Sequence, residues 1–275
     1  MKKYLNETNQ YVARYGNEAI QGTVYALKKL GVERSHCFLK IDNHSIPCLP
    51  FSLGLKRSIL LAPISRREMD SFQKYTNSVV AFCLALNPEH KPEPVNFYLH
   101  CSLSTIGQMK DWENVALFVV DYKTSPDEMI RMLGKYLEEQ ELIRIQYDDY
   151  GRTMVKMTPE TARLMGYNFF STITSADMKP RRIHLMGVSS KSLEHIETDS
   201  SFVLTPGTPV SYQLSFNKYH LDLQGHVNDT ERLPQNLTRI VSTLEFCPEL
   251  VEIIDDFWYN FRACSTKNVH PELNP

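Results

Sequence analysis

The sequence predicts a mostly β chain with helices, an α+β protein of two tandem antiparallel β-barrels, each closed by a C-terminal helix. Three observations carry this. Short segments with period-2 alternation recur through both halves. In each half the last such segment is strongly apolar, Val115 to Tyr122 or Ile240 to Phe246. Each is followed at once by a helix with proline in its first turn, Pro126 or Pro248, placed to plug a barrel end. A length of 275 residues is enough for two separate cores.

Taken in order, Ile20, Val24, Leu27 and Leu30 form one stripe ending at Gly31, which predicts a helix over 17–30. Strands follow at 37–41, 46–49 and 58–62. Ser65 and Glu68 make a capping box that opens a brief helix with Met69 and Phe72 inward. Further strands run over 79–86, 95–103 and 115–122, the first two separated by a proline-rich loop. The last is apolar enough for burial on both faces. From Ser125-Pro126 a helix carries Met129, Ile130, Leu133, Tyr136 and Leu137 and is expected to end at the charged run Glu138–Glu141. A polar stretch to Arg152 then marks the boundary, which gives an N-terminal domain over 1–141, a linker over 142–157 and a C-terminal domain over 158–275.

In the second half Thr158-Pro159-Glu160 starts a short helix stopped by Gly166. The stretch from Lys179 to Glu197 begins with a basic step, alternates as a strand, breaks at a small polar turn and resumes as a second strand that leads into a Pro/Gly turn at Thr205-Pro206-Gly207. Val210, Tyr212, Leu214 and Phe216 alternate with polar residues, and Leu221, Leu223, Gly225 and Val227 do the same in a hairpin partner. The final helix from Pro248 has a wide apolar face of Leu250, Val251, Ile253, Ile254, Phe257, Trp258 and Phe261. A frayed tail is expected from Ser265.

Composition narrows the function. Thirty Lys+Arg against 32 Asp+Glu leave no global field for DNA or RNA. No apolar run reaches the roughly 18 residues of a spanning helix, and the first residues lead into polar sequence, so a cytoplasmic protein without membrane insertion is expected. The six cysteines lie far apart with no metal-ligand spacing and read as small buried hydrophobes. No nucleophile elbow, P-loop or His-Glu-x-x-His occurs. No catalytic residue and no metal ligand is assigned, and a non-enzymatic protein without a cofactor is expected.

The entry Pro180-Arg181-Arg182, the turn Gly187-Val188-Ser189-Ser190-Lys191-Ser192, the linker helix Thr158-Pro159-Glu160-Thr161 with Gly166, and Leu223-Gln224-Gly225-His226-Val227 follow one another as in a PilZ domain. This half resembles that family, and a PilZ-like barrel followed by a PilZ domain resembles the spirochaetal PilZ receptors. The resemblance implies a signalling protein of the cyclic di-GMP pathway, a receptor or effector whose domains reorient on nucleotide binding. Arginines would grip phosphates or guanine edges bidentately, and an acid or amide in the turn would meet a guanine edge.

The chain departs from the family's motifs. Where Arg-x-x-x-Arg is expected, Arg144 and Arg152 stand eight apart. Where the turn is written Asp/Asn-x-Ser-x-x-Gly, Gly187 and Ser192 replace its ends and only Ser189 survives. Losing two bidentate contacts of roughly 1–3 kcal/mol each weakens binding by about one to four orders of magnitude. The candidate nucleotide-binding residues are Arg144, Arg152, Arg181, Arg182, Ser189 and Ser192, with Lys156 and Lys191 near enough to compensate. The plain alternatives are linker arginines paired with Asp148 and Asp149, a solvated doublet at Arg181-Arg182, and a serine that satisfies only its own turn. The second functional reading is a degenerate PilZ adaptor that binds a protein partner without nucleotide.

Overall fold

The computed structural model describes residues 2–88, 92–109, 112, 114–175, 180–197, 204–217 and 219–267. The chain divides into two compact units, Met1–Glu139 and Gln140–Pro275. In the first, α1 (Lys2–Tyr15), β1 (Ala19–Gln21) and α2 (Val24–Lys29) precede β2 (Phe38–Ile41), β3 (His44–Pro47), β4 (Leu49–Gly54) and β5 (Arg57–Ala62). Then come α3 (Arg66–Phe72), β6 (Val79–Leu86), β7 (Val95–Gln108), β8 (Ala116–Tyr122) and α4 (Asp127–Tyr150). All eight strands form one sheet in the order β1-β4-β5-β8-β7-β6-β2-β3, with every pair antiparallel.

The second unit repeats this plan. It contains β9 (Val155–Lys156), α5 (Pro159–Met165), β10 (Tyr167–Ser175), β11 (Arg181–Arg182), β12 (His184–Val188) and β13 (Ser192–Glu197). It continues with β14 (Pro209–Phe216), β15 (Tyr219–Leu233), β16 (Leu237–Leu244) and α6 (Pro248–Lys267). The sheet order is β11-β10-β14-β15-β16-β13-β12-β9. In both units a short strand and a helix lead into the sheet, and a helix follows its last strand.

The expectation of two closed barrels is corrected by this pairing. Among the described residues no ladder joins the first strand of either sheet to its last. The physical reason is the same in both units. One extended segment kinks, at Cys48 or Ile183, and its two arms pair with different neighbours: β3 with β2 and β4 with β5, or β11 with β10 and β12 with β13. At each kink the backbone N–H still follows the first arm's partner, Cys48 N donating to Cys37 O and Ile183 N to Ser171 O, both at 3.1 Å, and the second arm leaves from there.

The alternation read from sequence sets the cores. Val210, Tyr212, Leu214 and Phe216 are all buried, as are Leu221, Leu223 and Val227 from the partner strand. Met129, Ile130, Leu133, Tyr136 and Leu137 of α4 join the first core, and Leu250, Ile253, Ile254 and Phe257 of α6 join the second. The expectation of a doubly buried 115–122 strand is only half met, since Ala116, Phe118 and Val120 are buried while Leu117 and Val119 are partly exposed.

Two helical boundaries differ from expectation. The segment 17–30 is split, because Ala19–Gln21 pairs with Ser52–Gly54 and Gly22 N donates to Phe51 O at 2.8 Å. Sheet pairing there overrides the helical stripe, and Gly22 is required because a Cβ would lie 2.0 Å from Pro50 O. α4 continues to Tyr150 instead of stopping near Glu141. Its charged residues are good helix formers, and no Gly or Pro intervenes between Gly134 and Gly151. The predicted start at Thr158 is present as a capping box, and Gly166 ends α5 at φ 69°. The frayed tail expected from Ser265 falls, from residue 268 onward, outside the described residues.

Candidate ligand site

The turn between β12 and β13 is where the second unit gathers polar side chains. β9 pairs with β12, Lys156 opposite Gly187 and Val155 opposite Val188, so the segment that follows α4 is laid beside this turn. Within the turn Ser189 N donates to Ser192 O at 2.8 Å, and Ser189 Oγ accepts from Lys191 N at 3.2 Å and Ser192 N at 3.0 Å. The Ser189 and Ser192 hydroxyls are 2.8 Å apart. Both serines therefore hold the turn together, and Ser189 is buried.

Residues from the end of α4 cover the turn. Ser190 Oγ donates to Tyr147 O at 2.5 Å, and Lys191 Nζ donates to Asp148 Oδ1 at 2.5 Å while standing 5.0 Å from the Tyr147 ring centroid. Tyr147 meets Phe246 edge-on at 5.1 Å and donates to Leu244 O at 3.4 Å. Burial raises its phenol pKa above the ordinary value. Two glycines admit this packing. A Cβ on Gly151 would lie 2.5 Å from the Lys191 stem, and one on Gly187 would lie 2.8 Å from Met154 Cγ.

In the same unit, a cavity of about 290 Å³ is lined by Asp149, Tyr150, Thr153, Trp258 and Arg262. Tyr150 donates its hydroxyl to Asp255, and burial together with that carboxylate pushes the phenol up to about 12. The group offers an aromatic face, a carboxylate and a guanidinium within one recess. A purine base with an attached phosphate needs those three chemistries: stacking, an acceptor for ring N–H, and a cation.

The candidates from sequence are dispersed. Arg152 follows α4 and pairs with Asp149 at 3.8 Å, with side chains 79% and 62% exposed, so that pair is weak. Arg144 lies with its guanidinium carbon 6.0 Å from the Phe246 ring centroid. Arg181 and Arg182 pair with Ile173 and Thr172 of β10, on the far side of the Ile183 kink from the turn. Six residue-to-residue steps of extended chain run from Ile183 to Ser189, roughly 20 Å. Arg181 is mostly buried there and bonds Glu197 at 3.0 Å. Trp258, Arg262, Asp149 and Met154 were not singled out as site residues from sequence. Gly151 and Gly187 were the available signal, since each makes room for a side chain distant in sequence.

Among the described residues no three metal-ligating side chains gather, and no helix is long and apolar enough to cross a membrane. A model of the PilZN3 domain matches residues 6–140. No curated protein matches the sequence. Among solved structures, the Borreliella burgdorferi PlzA protein in complex with c-di-GMP is similar at 12% identity and a TM-score of 0.46, over 92% of this chain and 99% of that one. YcgR from Escherichia coli in complex with c-di-GMP is similar at 10% identity and a TM-score of 0.31, over 90% and 96%. The K. pneumonia MrkH–c-di-GMP complex is similar at 9% identity and a TM-score of 0.33, over 91% and 100%.

Proposed function

We propose that the chain, whose residues 6–140 match a model of the PilZN3 domain, is a non-enzymatic, cytoplasmic signalling protein of the cyclic di-GMP pathway. Its second unit acts as a PilZ-type receptor, and nucleotide binding there reorients the two domains. The observation that carries this reading is the β9–β12 pairing, which lays the segment carrying Arg152 and Lys156 beside the turn carrying Lys191. Cyclic di-GMP needs cations for its two phosphates and polar edges and rings for its guanines. Arg152, Lys156, Lys191 and Arg262 supply the first, and Asp149 and Trp258 the second. The Lys191–Asp148 and Arg152–Asp149 pairs are exposed enough to be exchanged for phosphate at little cost.

The test is competition. A fluorescent cyclic di-GMP displaced by unlabelled cyclic di-GMP, but not by GTP at tenfold higher concentration, supports the reading. Equal displacement by both, or no binding of the label, contradicts it.

One observation favours a second reading, that of an adaptor holding a protein partner without nucleotide. Met154 fills the space above Gly187, where the resemblance calls for an acid or amide. Under that reading Tyr147 and Met154 seal the turn for good. A pull-down that yields a stable partner unaffected by cyclic di-GMP supports it, whereas specific nucleotide binding rejects it.

A further inference from the structure

In the first unit, the kink at Cys48 opens onto a pocket of about 430 Å³. Pro47, Cys48 and Leu49 form its floor, Leu61 comes from β5, and Met109 and Trp112 come from the β7–β8 connection. These walls are carbon and sulfur almost throughout. Arg34 is the sole charged residue among the described lining. Arg34 lies in a 3₁₀ turn just before β2 and is exposed, which puts it on the water-facing side of the lining. Trp112 is 61% exposed at the same pocket, an unusual state for an indole unless something covers it.

The volume falls within the ~300–1,000 Å³ of small-molecule sites, and at ~30 Å³ per group it holds about fourteen methylene-sized units. Water gains little there, because almost no wall atom can bond to it. The thiol of Cys48 is kept protonated by burial, so among the described lining residues none offers a nucleophile. Among the described residues, what remains is an apolar slot with one cation, Arg34, on its water-facing side. The matching ligand is an apolar chain with one anionic end.

We propose that this pocket binds a free single-chain carboxylate, a medium-chain fatty acid, with its chain along Leu49, Leu61 and Met109 and its carboxylate at Arg34. The charge complement selects this occupant over a neutral apolar chain. The inference does not depend on the reading of the second unit as a nucleotide receptor.

The experiment uses the full chain carrying Trp258→Phe, which leaves Trp112 as the only tryptophan. Octanoate, decanoate and dodecanoate are titrated below their micelle concentrations while the Trp112 emission is followed. Expected is a saturable blue shift, with affinity rising about fourfold per added methylene. Arg34→Gln is expected to weaken dodecanoate about fivefold and to leave dodecanol unchanged. Arg34 is exposed, and Trp258→Phe keeps an aromatic ring at a partly buried position, so folding is expected to be preserved, which circular dichroism checks. Four outcomes overturn the proposal: no saturable shift, equal affinity for the three chain lengths, equal binding of dodecyltrimethylammonium, or a shift that needs anionic phospholipid vesicles. A blue shift that grows with protein concentration alone overturns it as well, since a second copy would then fill the pocket.

Discussion

Met154 Cγ lies 2.8 Å from the point where a Cβ on Gly187 would stand. Position 187 is where the PilZ resemblance calls for an acid or amide, so a thioether occupies the place of a hydrogen-bonding side chain. Gly187→Asn alone is expected to push Met154 aside and to destabilise the second unit by about 1–3 kcal/mol. Gly187→Asn combined with Met154→Ala is expected to recover most of that loss and to strengthen cyclic di-GMP binding at least fivefold, the lower end of one bidentate contact. Denaturant melts and a nucleotide titration on both variants check this. An unchanged affinity in the double variant removes the turn from the ligand site.

Lys191 bridges the turn and α4 through Asp148, with side chains 40% and 66% exposed. So open a pair adds little to stability. Lys191→Ala is expected to change unfolding free energy by less than about 1 kcal/mol while weakening cyclic di-GMP about tenfold and flattening the salt dependence of binding. Paired melts and titrations at two salt concentrations separate the two effects. A stability loss with unchanged affinity would make Lys191 purely structural.

His195 is fully buried, and neither ring nitrogen has a hydrogen-bond partner among the described residues. Tyr212 meets it edge-on at 5.5 Å, and burial, with Arg181 adding to it, holds its pKa down to about 3. In the unfolded chain the same imidazole titrates near 6.5. The unfolded state therefore binds the extra proton between those values. Stability is fully present above about pH 6.5 and falls as pH drops toward about 3, with a slope of up to ~1.4 kcal/mol per unit from this residue. His195→Leu is expected to flatten that slope. Urea melts at pH 7, 6 and 5, read by Trp258 in a Trp112→Phe background, decide it; an identical slope in both proteins would mean that the imidazole does not sense acid.

Phe257 is 3% exposed and joins α6 to the second core, with ring centroids 5.0 Å from Trp258 and 5.8 Å from Phe261. Phe257→Ala is expected to cost the second unit about 3–5 kcal/mol. The Trp258 melt should shift while a Trp112 melt of the first unit stays in place. A coincident shift of both transitions would show that the units unfold as one.

Patterns local in sequence were legible and nonlocal ones were not. Alternation from Val210 to Phe216 placed a strand and its inward face correctly, because period 2 needs only the strand itself. Thr158, Pro159 and Gly166 marked both ends of α5 for the same reason. The strand at Ala19–Gln21 carries no local mark, because its partner, Ser52–Gly54, lies 31 to 35 residues further along the chain. The kinks at Cys48 and Ile183 carry no local signal either, since each depends on a hydrogen bond to another strand. At the site, Arg181 and Arg182 are close in sequence to the turn but separated from it by an extended strand. Trp258 and Arg262 are far in sequence from Asp149 and Tyr150, yet they line one recess with them.

The central claim is that the second unit receives cyclic di-GMP beside the 189–192 turn. Calorimetric titration of the full chain, run beside a chain carrying Arg152→Ala and Lys191→Ala, tests it most directly. The account predicts saturable heat for the native chain and at least a tenfold weaker affinity for the variant. No heat from the native chain up to millimolar nucleotide, or equal affinity in the two proteins, would contradict it.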